Sequence, residues 1–406
     1  MSIHNKHRRQ FIKSTGVAGA GTLLLPNFLS ALSGCADLSK VTLDGRRLVV
    51  IQLSGGNDGL NTLIPTGNDI YHRSRPNLAV ADNKTLKITD QYGFNPSVDV
   101  FRWLYDEGLL SVVNGVGYPN PNRSHFRSMD IWQSAGDGNT ELASGWVGRY
   151  LDAVCKDDSD PYKALQVGIK LDMALRGELR TGFSVVDPSQ HDAIPSIMRD
   201  QRIDFAYGLP AQNPALHYLY KSVQSIQSST DYLHEISKTA DSKTSYPSTP
   251  FSRKLKTVSE LISSGVDTSI YYVSHEGFDS HANQNHFLNW PLKVFNEGLT
   301  AFTKDLRSSG ALDSTLVLVF SEFGRRVEEN ASGGTDHGTA NCVFLIGNQL
   351  NRAGIYNDIP DLSDLDNGDL KYSIDFRQVY ATILDKWLKV DSEVVLKQKF
   401  ENLQFI

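Results

Sequence analysis

Uninterrupted apolar runs alternate along this chain with stretches whose apolar residues recur at helical spacing. The runs Arg46–Leu53, Leu109–Val113, Ala164–Val167, Ile270–Val273, Leu316–Phe320 and Cys342–Ile346 are rich in β-branched and aromatic residues and read as buried strands. Between them, Val98, Phe101, Trp103 and Leu104 predict a helix over Asp99–Glu107. Similar spacing predicts helices at His125–Ser134, Trp146–Cys155, Phe287–Leu306 and Phe376–Val390. Strands alternating with helices define an α/β protein with a largely parallel sheet. From about 183 to 268 the pattern changes to Ser, Thr, Gln and Lys with helical spacings at Leu216–Ile226 and Leu255–Ile262. That stretch reads as a helical insertion containing a flexible segment, Ser228–Thr249, and is an expected cover for a site.

Ligands of open α/β sheets bind outside the carboxyl ends of the strands. Here those ends carry carboxylates and imidazoles. The first strand stops at Ser54-Gly55-Gly56-Asn57-Asp58-Gly59, where Asp58 is either a solvated turn aspartate or a ligand. The fourth stops before Asp279 and His281, which point to one side if the backbone is extended. The fifth stops at Glu322, and a Gly/Ser/Asn loop then delivers Asp336 and His337. Imidazole with carboxylate suits zinc, iron or manganese better than calcium. Ser124 precedes a helix and reads first as its N-cap, second as a nucleophile; Arg123 and His125 flank it.

Composition narrows the classes. With 40% hydrophobic and 21% charged residues the chain is ordinary for a globular protein, and a net charge of -6 argues against nucleic acid. Three cysteines exclude a disulfide framework. Cys155 and Cys342 sit in apolar sequence as buried thiols or a single pair. There is no GxSxG, P-loop or HExxH sequence; His234-Glu235 lacks the second histidine. Arg8-Arg9-Gln10-Phe11-Ile12-Lys13 has the twin-arginine pattern of bacterial export, followed by a mild apolar stretch and Leu32-Ser33-Gly34-Cys35, a lipobox-like end. The expected organisation is a signal over 1–35, a linker over 36–45 and one domain over 46–406. Export to the periplasm or cell envelope and a lipid tether at Cys35 follow as expectations, with contact to the membrane through that lipid alone.

The order of these loops resembles the alkaline phosphatase-like superfamily of phosphatases, sulfatases and phosphomutases. More narrowly, the twin-arginine start with GGNDGLN, NRSHF, GFDSH, SEFGR and DHG resembles domain-of-unknown-function family 1501, an exported bacterial family placed in that superfamily. The resemblance implies a three-layer α/β/α sandwich with a mostly parallel central sheet. It implies a metal-dependent hydrolase of phosphate or sulfate esters, with Ser124 as nucleophile. Asp279, His281 and His337 would hold one metal, and Asp58 with Glu322 a second. The cofactor would be one or two divalent ions, zinc first, with manganese, iron, magnesium or calcium as alternatives. Arg123, Arg325 or Arg326 could hold substrate oxygens, and Asn57 is a further substrate-side candidate. Phe323 stands where the superfamily has a histidine, so the second metal site is expected to be weakened. That departure keeps open an exported binding module with a degenerate metal site. Such a module would bind polysaccharide or a partner protein, and the sequence does not say which protein.

Overall fold

The computed structural model describes residues 45–155, 161–185, 242 and 244–406. The twin-arginine segment, Cys35 and the 216–226 helical spacing lie outside them. A central sheet is built from β1 (Arg47–Ser54), β2 (Leu110–Gly117), β3 (Ala164–Val167), β4 (Phe183–Val185), β5 (Ile270–Glu276), β6 (Thr315–Phe320), β7 (Asn341–Ile346), β8 (Gly354–Ile355) and β9 (Ile374–Asp375). Its order is β8-β2-β7-β6-β1-β5-β3-β4, with β9 also on β2. Every pairing is parallel except those of β7, which runs against both β2 and β6.

The period-two alternation of β1 decides the layers. Leu48 and Val50 face one core, and Val49, Ile51 and Leu53 face the other. The second core is closed by α1 (Asp99–Asp106), α4 (Pro250–Ser263) and α5 (Asn289–Ser308). The first is closed by α2 (His125–Ser134), α3 (Trp146–Val154) and α6 (Phe376–Thr382). This is the expected α/β/α sandwich. Strands buried on both faces must be apolar throughout, which is why they read as continuous runs. Trp132 of α2 stacks on Phe320 at 4.8 Å and on Phe376 at 4.3 Å, tying the site-bearing helix to the sheet. Truncating such a buried aromatic costs about 3–5 kcal/mol.

Two sequence expectations are refined by packing. The helix from Leu255–Ile262 is a layer of the sandwich, packed on α5 and β5, rather than a cover over the site. The last predicted helix stops at Thr382 and continues as a π turn over Ile383–Trp387. Cys155 and Cys342 are both buried, and no disulfide joins them. Among the described residues no helix is long and apolar enough to cross a membrane.

Candidate metal centre

Strand register brings the chemistry to one rim. Ser54 of β1 pairs with Glu276 of β5, and Gln52 with Phe320 of β6, so three parallel strands end nearly level. β2 ends at Gly117 on the same side and leads through Tyr118–Arg123 to α2. β7 is antiparallel, so it begins where the others end; the residues before Asn341, including His337, therefore arrive at that rim too.

Three side chains offer ligand atoms all within 4.8 Å of one another: His125, Asp279 and His337. Each imidazole is oriented from behind. His337 Nδ1 donates to the Arg123 carbonyl at 2.7 Å, which leaves its Nε2 bare toward the centre. His125 Nδ1 lies 2.8 Å from Glu322 Oε1, and its buried Nε2 lies 3.4 Å from Asp279 Oδ2 without forming a hydrogen bond. A carboxylate behind a histidine whose far nitrogen is open is the usual outer arrangement of a metal ligand. His281 completes the group: its Nε2 lies 2.8 Å from His337 Nε2 and 3.1 Å from Asp279 Oδ1. Its Nδ1 faces Asp336 at 3.5 Å. Two converging imidazoles and one carboxylate, with His281 against two of them, can hold a divalent ion, and the close approach of His125 Nε2 to Asp279 Oδ2 at 3.4 Å without a hydrogen bond fits one.

The surroundings fix this set. Buried Arg325 donates to Asp279 Oδ1 at 2.8 Å, and also to the Gly56, Thr335 and Phe278 carbonyls. Burial pushes the Asp279 carboxyl up, but the Arg325 guanidinium and the neighbouring imidazoles outweigh it and hold it down at about 2. The hydrogen bond to Glu322 raises the His125 pKa, while burial lowers that of His337. The Gly55-Gly56 turn is compulsory. Both residues have positive φ, +119° and +70°, and a Cβ on Gly55 would stand 2.5 Å from the Asp279 nitrogen. Gly55 N–H in turn donates to Glu322 Oε1 at 2.8 Å.

The structure thus brings together Asp279, His281 and His337, and sets Glu322 one step behind them. Asp58 it places elsewhere. Its carboxylate is wholly buried, paired with Arg75 Nη1 at 2.7 Å and bonded by Gln284 Nε2. Both of these donors fall on Oδ2, while Oδ1 accepts the Asn61 N–H at 3.3 Å, so the carboxylate is engaged inside the fold. Asn57 is also spent inside: its N–H donates to Ser321 Oγ at 2.8 Å and its side chain bonds Thr62. Arg325, a candidate for substrate oxygens, is 1% exposed and works from beneath the site. His125, expected as a catalytic neighbour, instead aims a ring nitrogen at the centre. Its position at the start of a helix after a strand end was the available signal. Arg75 and Gln284 gave none, because their roles depend on a loop folding back across the molecule.

Ser124 occupies the N-cap position of α2 with extended backbone, yet its hydroxyl makes no cap bond. Its N–H donates to Asn122 Oδ1 at 2.8 Å, and the loop is pinned by Asn122 N–H on Tyr118 Oη at 3.1 Å. The serine is exposed, beside His125. Phe323 forms a wall, with ring centroids 4.8 Å from His125 and 4.6 Å from His337.

A sandwich of this topology with one histidine-and-aspartate centre at the strand ends defines an α/β protein with a candidate metal site. The model of the family described as protein of unknown function (DUF1501) matches residues 111–400, and the chain belongs to that family. Among proteins with curated functions, none matches the sequence. Solved structures similar to it include the lipoteichoic acid synthase LtaP from Listeria monocytogenes, at 9% identity, 78% of this chain, 68% of that one and a TM-score of 0.36. The C-terminal periplasmic domain of EcEptC from Escherichia coli matches at 12% identity, 89% of each chain and a TM-score of 0.38. PsFucS1 sulfatase from Pseudoalteromonas sp. matches at 13% identity, 93% of this chain, 74% of that one and a TM-score of 0.41.

Proposed function

We propose that this protein is an exported, metal-dependent hydrolase of phosphate or sulfate esters, with Ser124 as nucleophile. The observation that supports the reading is the convergence of His125, Asp279 and His337, with the buried His125 Nε2 3.4 Å from Asp279 Oδ2 and Glu322 holding the ring from behind. The donor set favours zinc, with manganese or iron as alternatives and magnesium or calcium less suited. Such an ion supplies Lewis-acid polarisation of the ester and a lowered pKa for a neighbouring hydroxyl. His125, Asp279, His281 and His337 would hold it, Arg325 would fix the Asp279 oxygen, and the Arg123 carbonyl would keep the proton of His337 on Nδ1. Ser124 Oγ would attack phosphorus or sulfur as the ester bond breaks. Water would then release the phosphate or sulfate from the serine. Export by the twin-arginine route and lipidation at Cys35 rest on the Arg8-Arg9 and Leu32–Cys35 sequence.

One ion, rather than two, fits the residues. Asp58 is neutralised by Arg75, and Phe323 offers no ligand atom. The same two facts favour a second reading, a non-catalytic exported module that binds through the metal. The test is turnover of a generic aryl phosphate and aryl sulfate by protein loaded with one equivalent of zinc, against Ser124→Ala. The hydrolase reading expects at least a hundredfold loss in the variant. Equal rates remove Ser124 from the mechanism. Stoichiometric metal with no turnover of either ester leaves the binding module.

A further inference from the structure

Next to the candidate metal centre, two arginines converge on one buried carboxylate. Arg123 Nη2 meets Asp369 Oδ2, and Arg326 Nε lies 3.5 Å from Asp369 Oδ1. The side chains differ sharply in exposure: 42% for Arg123 and 35% for Arg326, against 1% for Asp369. Asp369 belongs to a hairpin of Leu365–Asp366 and Asp369–Leu370, locked to the site loop by Thr339 Oγ1 on the Leu370 carbonyl at 2.6 Å. Neither Asp369 oxygen has an aligned hydrogen-bond donor, so the buried carboxylate is balanced by charge and drawn to both arginines at once. Among the described residues, no other side chain pairs with either guanidinium. Asp369 thus stands between two partly exposed guanidiniums, with the Asp366 carboxylate acting on Asp369 and the Asp336 carboxylate on Arg326.

The pair adjoins the candidate centre without covering it. The Arg123 carbonyl receives His337 Nδ1–H, and Arg123 is joined directly to Ser124. Arg326 follows Arg325, and its N–H donates to the Asp336 carbonyl at 3.1 Å. The guanidinium that meets the ligand Asp279 is that of Arg325, whereas Arg123 and Arg326 converge on Asp369. We propose that Arg123 and Arg326, set side by side by Asp369, recognise a second negatively charged group on the substrate, next to the ester held at the metal centre. The inference rests on the hydrolase reading for the word substrate, and on the ion pairs alone for the anion subsite. Asp369 is a positioning residue: it spaces two planar donors whose side chains are partly exposed, an arrangement suited to a carboxylate, sulfate or phosphate.

The test uses two non-hydrolysable probes on the zinc-loaded protein, benzylphosphonate and 4-carboxybenzylphosphonate, titrated calorimetrically. The carboxylated probe is expected to bind about tenfold more tightly, the size of a charge-assisted bond at a partly exposed site. Arg326→Ala and the length-preserving Arg326→Gln should each abolish that advantage and leave benzylphosphonate affinity within twofold. Asp369→Asn should reduce the advantage while metal content, read by elemental analysis, stays constant. Equal affinities of the two probes for the unaltered protein, or an advantage that survives both Arg326 variants, overturn the proposal. Failure to hydrolyse any ester, with the carboxylate advantage intact, counts against the hydrolase reading alone.

Discussion

Asp58→Asn separates a structural aspartate from a metal ligand. The side chains of Asp58 and Arg75 are each 0% exposed, and their oxygen and nitrogen lie 2.7 Å apart. Arg75 also donates to the Asn61 side chain at 2.8 Å and to the Val327 and Arg326 carbonyls at 2.9 and 2.8 Å. The amide keeps the shape and removes the charge, so the guanidinium stays hydrogen-bonded but loses its buried counter-charge, the one it has among the described residues. Breaking one half of a buried ion pair costs about 3–5 kcal/mol. Unfolding entropy near 2.1 cal/mol/K per residue over 406 residues converts that cost to a fall of about 4–6 °C in Tm. Metal content should not change, because Asp58 is not among the three grouped ligand residues. The assay pairs differential scanning calorimetry with elemental analysis of protein purified after export in its own host. Loss of metal with Tm shifted by less than a degree would refute the reasoning and restore Asp58 to the ligand set.

Other outcomes follow from the same geometry. Removing a ligand by His337→Ala or Asp279→Asn should lower bound metal to well under half an equivalent, by elemental analysis. Glu322→Gln, which weakens the hold on His125 Nδ1, should weaken metal affinity about 10–100-fold in a competition titration with a chelator and leave the stoichiometry at saturation intact. His275 lies outside the site: burial, with a smaller push from the Lys254 charge, depresses its pKa from 6.5 to about 4, against the Pro291 carbonyl that its Nε2 meets. The unfolded chain binds that proton more readily, so stability is complete above pH 6.5 and falls as pH drops toward 4. By pH 5 the loss from this residue is about 2 kcal/mol. Denaturant unfolding at pH 7.5 and pH 5 should show a smaller difference by that amount in His275→Gln, and an unchanged difference would show that His275 is not the group responsible.

The sequence by itself determined the layers and the rim. Strands buried on both faces must be apolar throughout, so β1, β5, β6 and β7 could be read as runs, and α2 was placed to its terminal residues by its apolar spacing. Strand ends carry the groups a site needs, so Asp279, His281, Glu322 and His337 could be marked as candidates before any coordinate was known. Which of them share a centre was not written locally. Asp58 looks the same in sequence whether it meets an ion or Arg75, and the choice is made by a loop that folds Arg75 back onto β1's end. Glu322 and His125 exchanged expected places because 197 positions of chain close to bring a carboxylate behind an imidazole. The antiparallel entry of β7 alone decides that His337 arrives at the rim rather than at the far edge of the sheet. Periodicity is a property of neighbours along the chain and survives in one dimension. Ligand convergence depends on contacts between distant segments, which exist only once the sheet has paired.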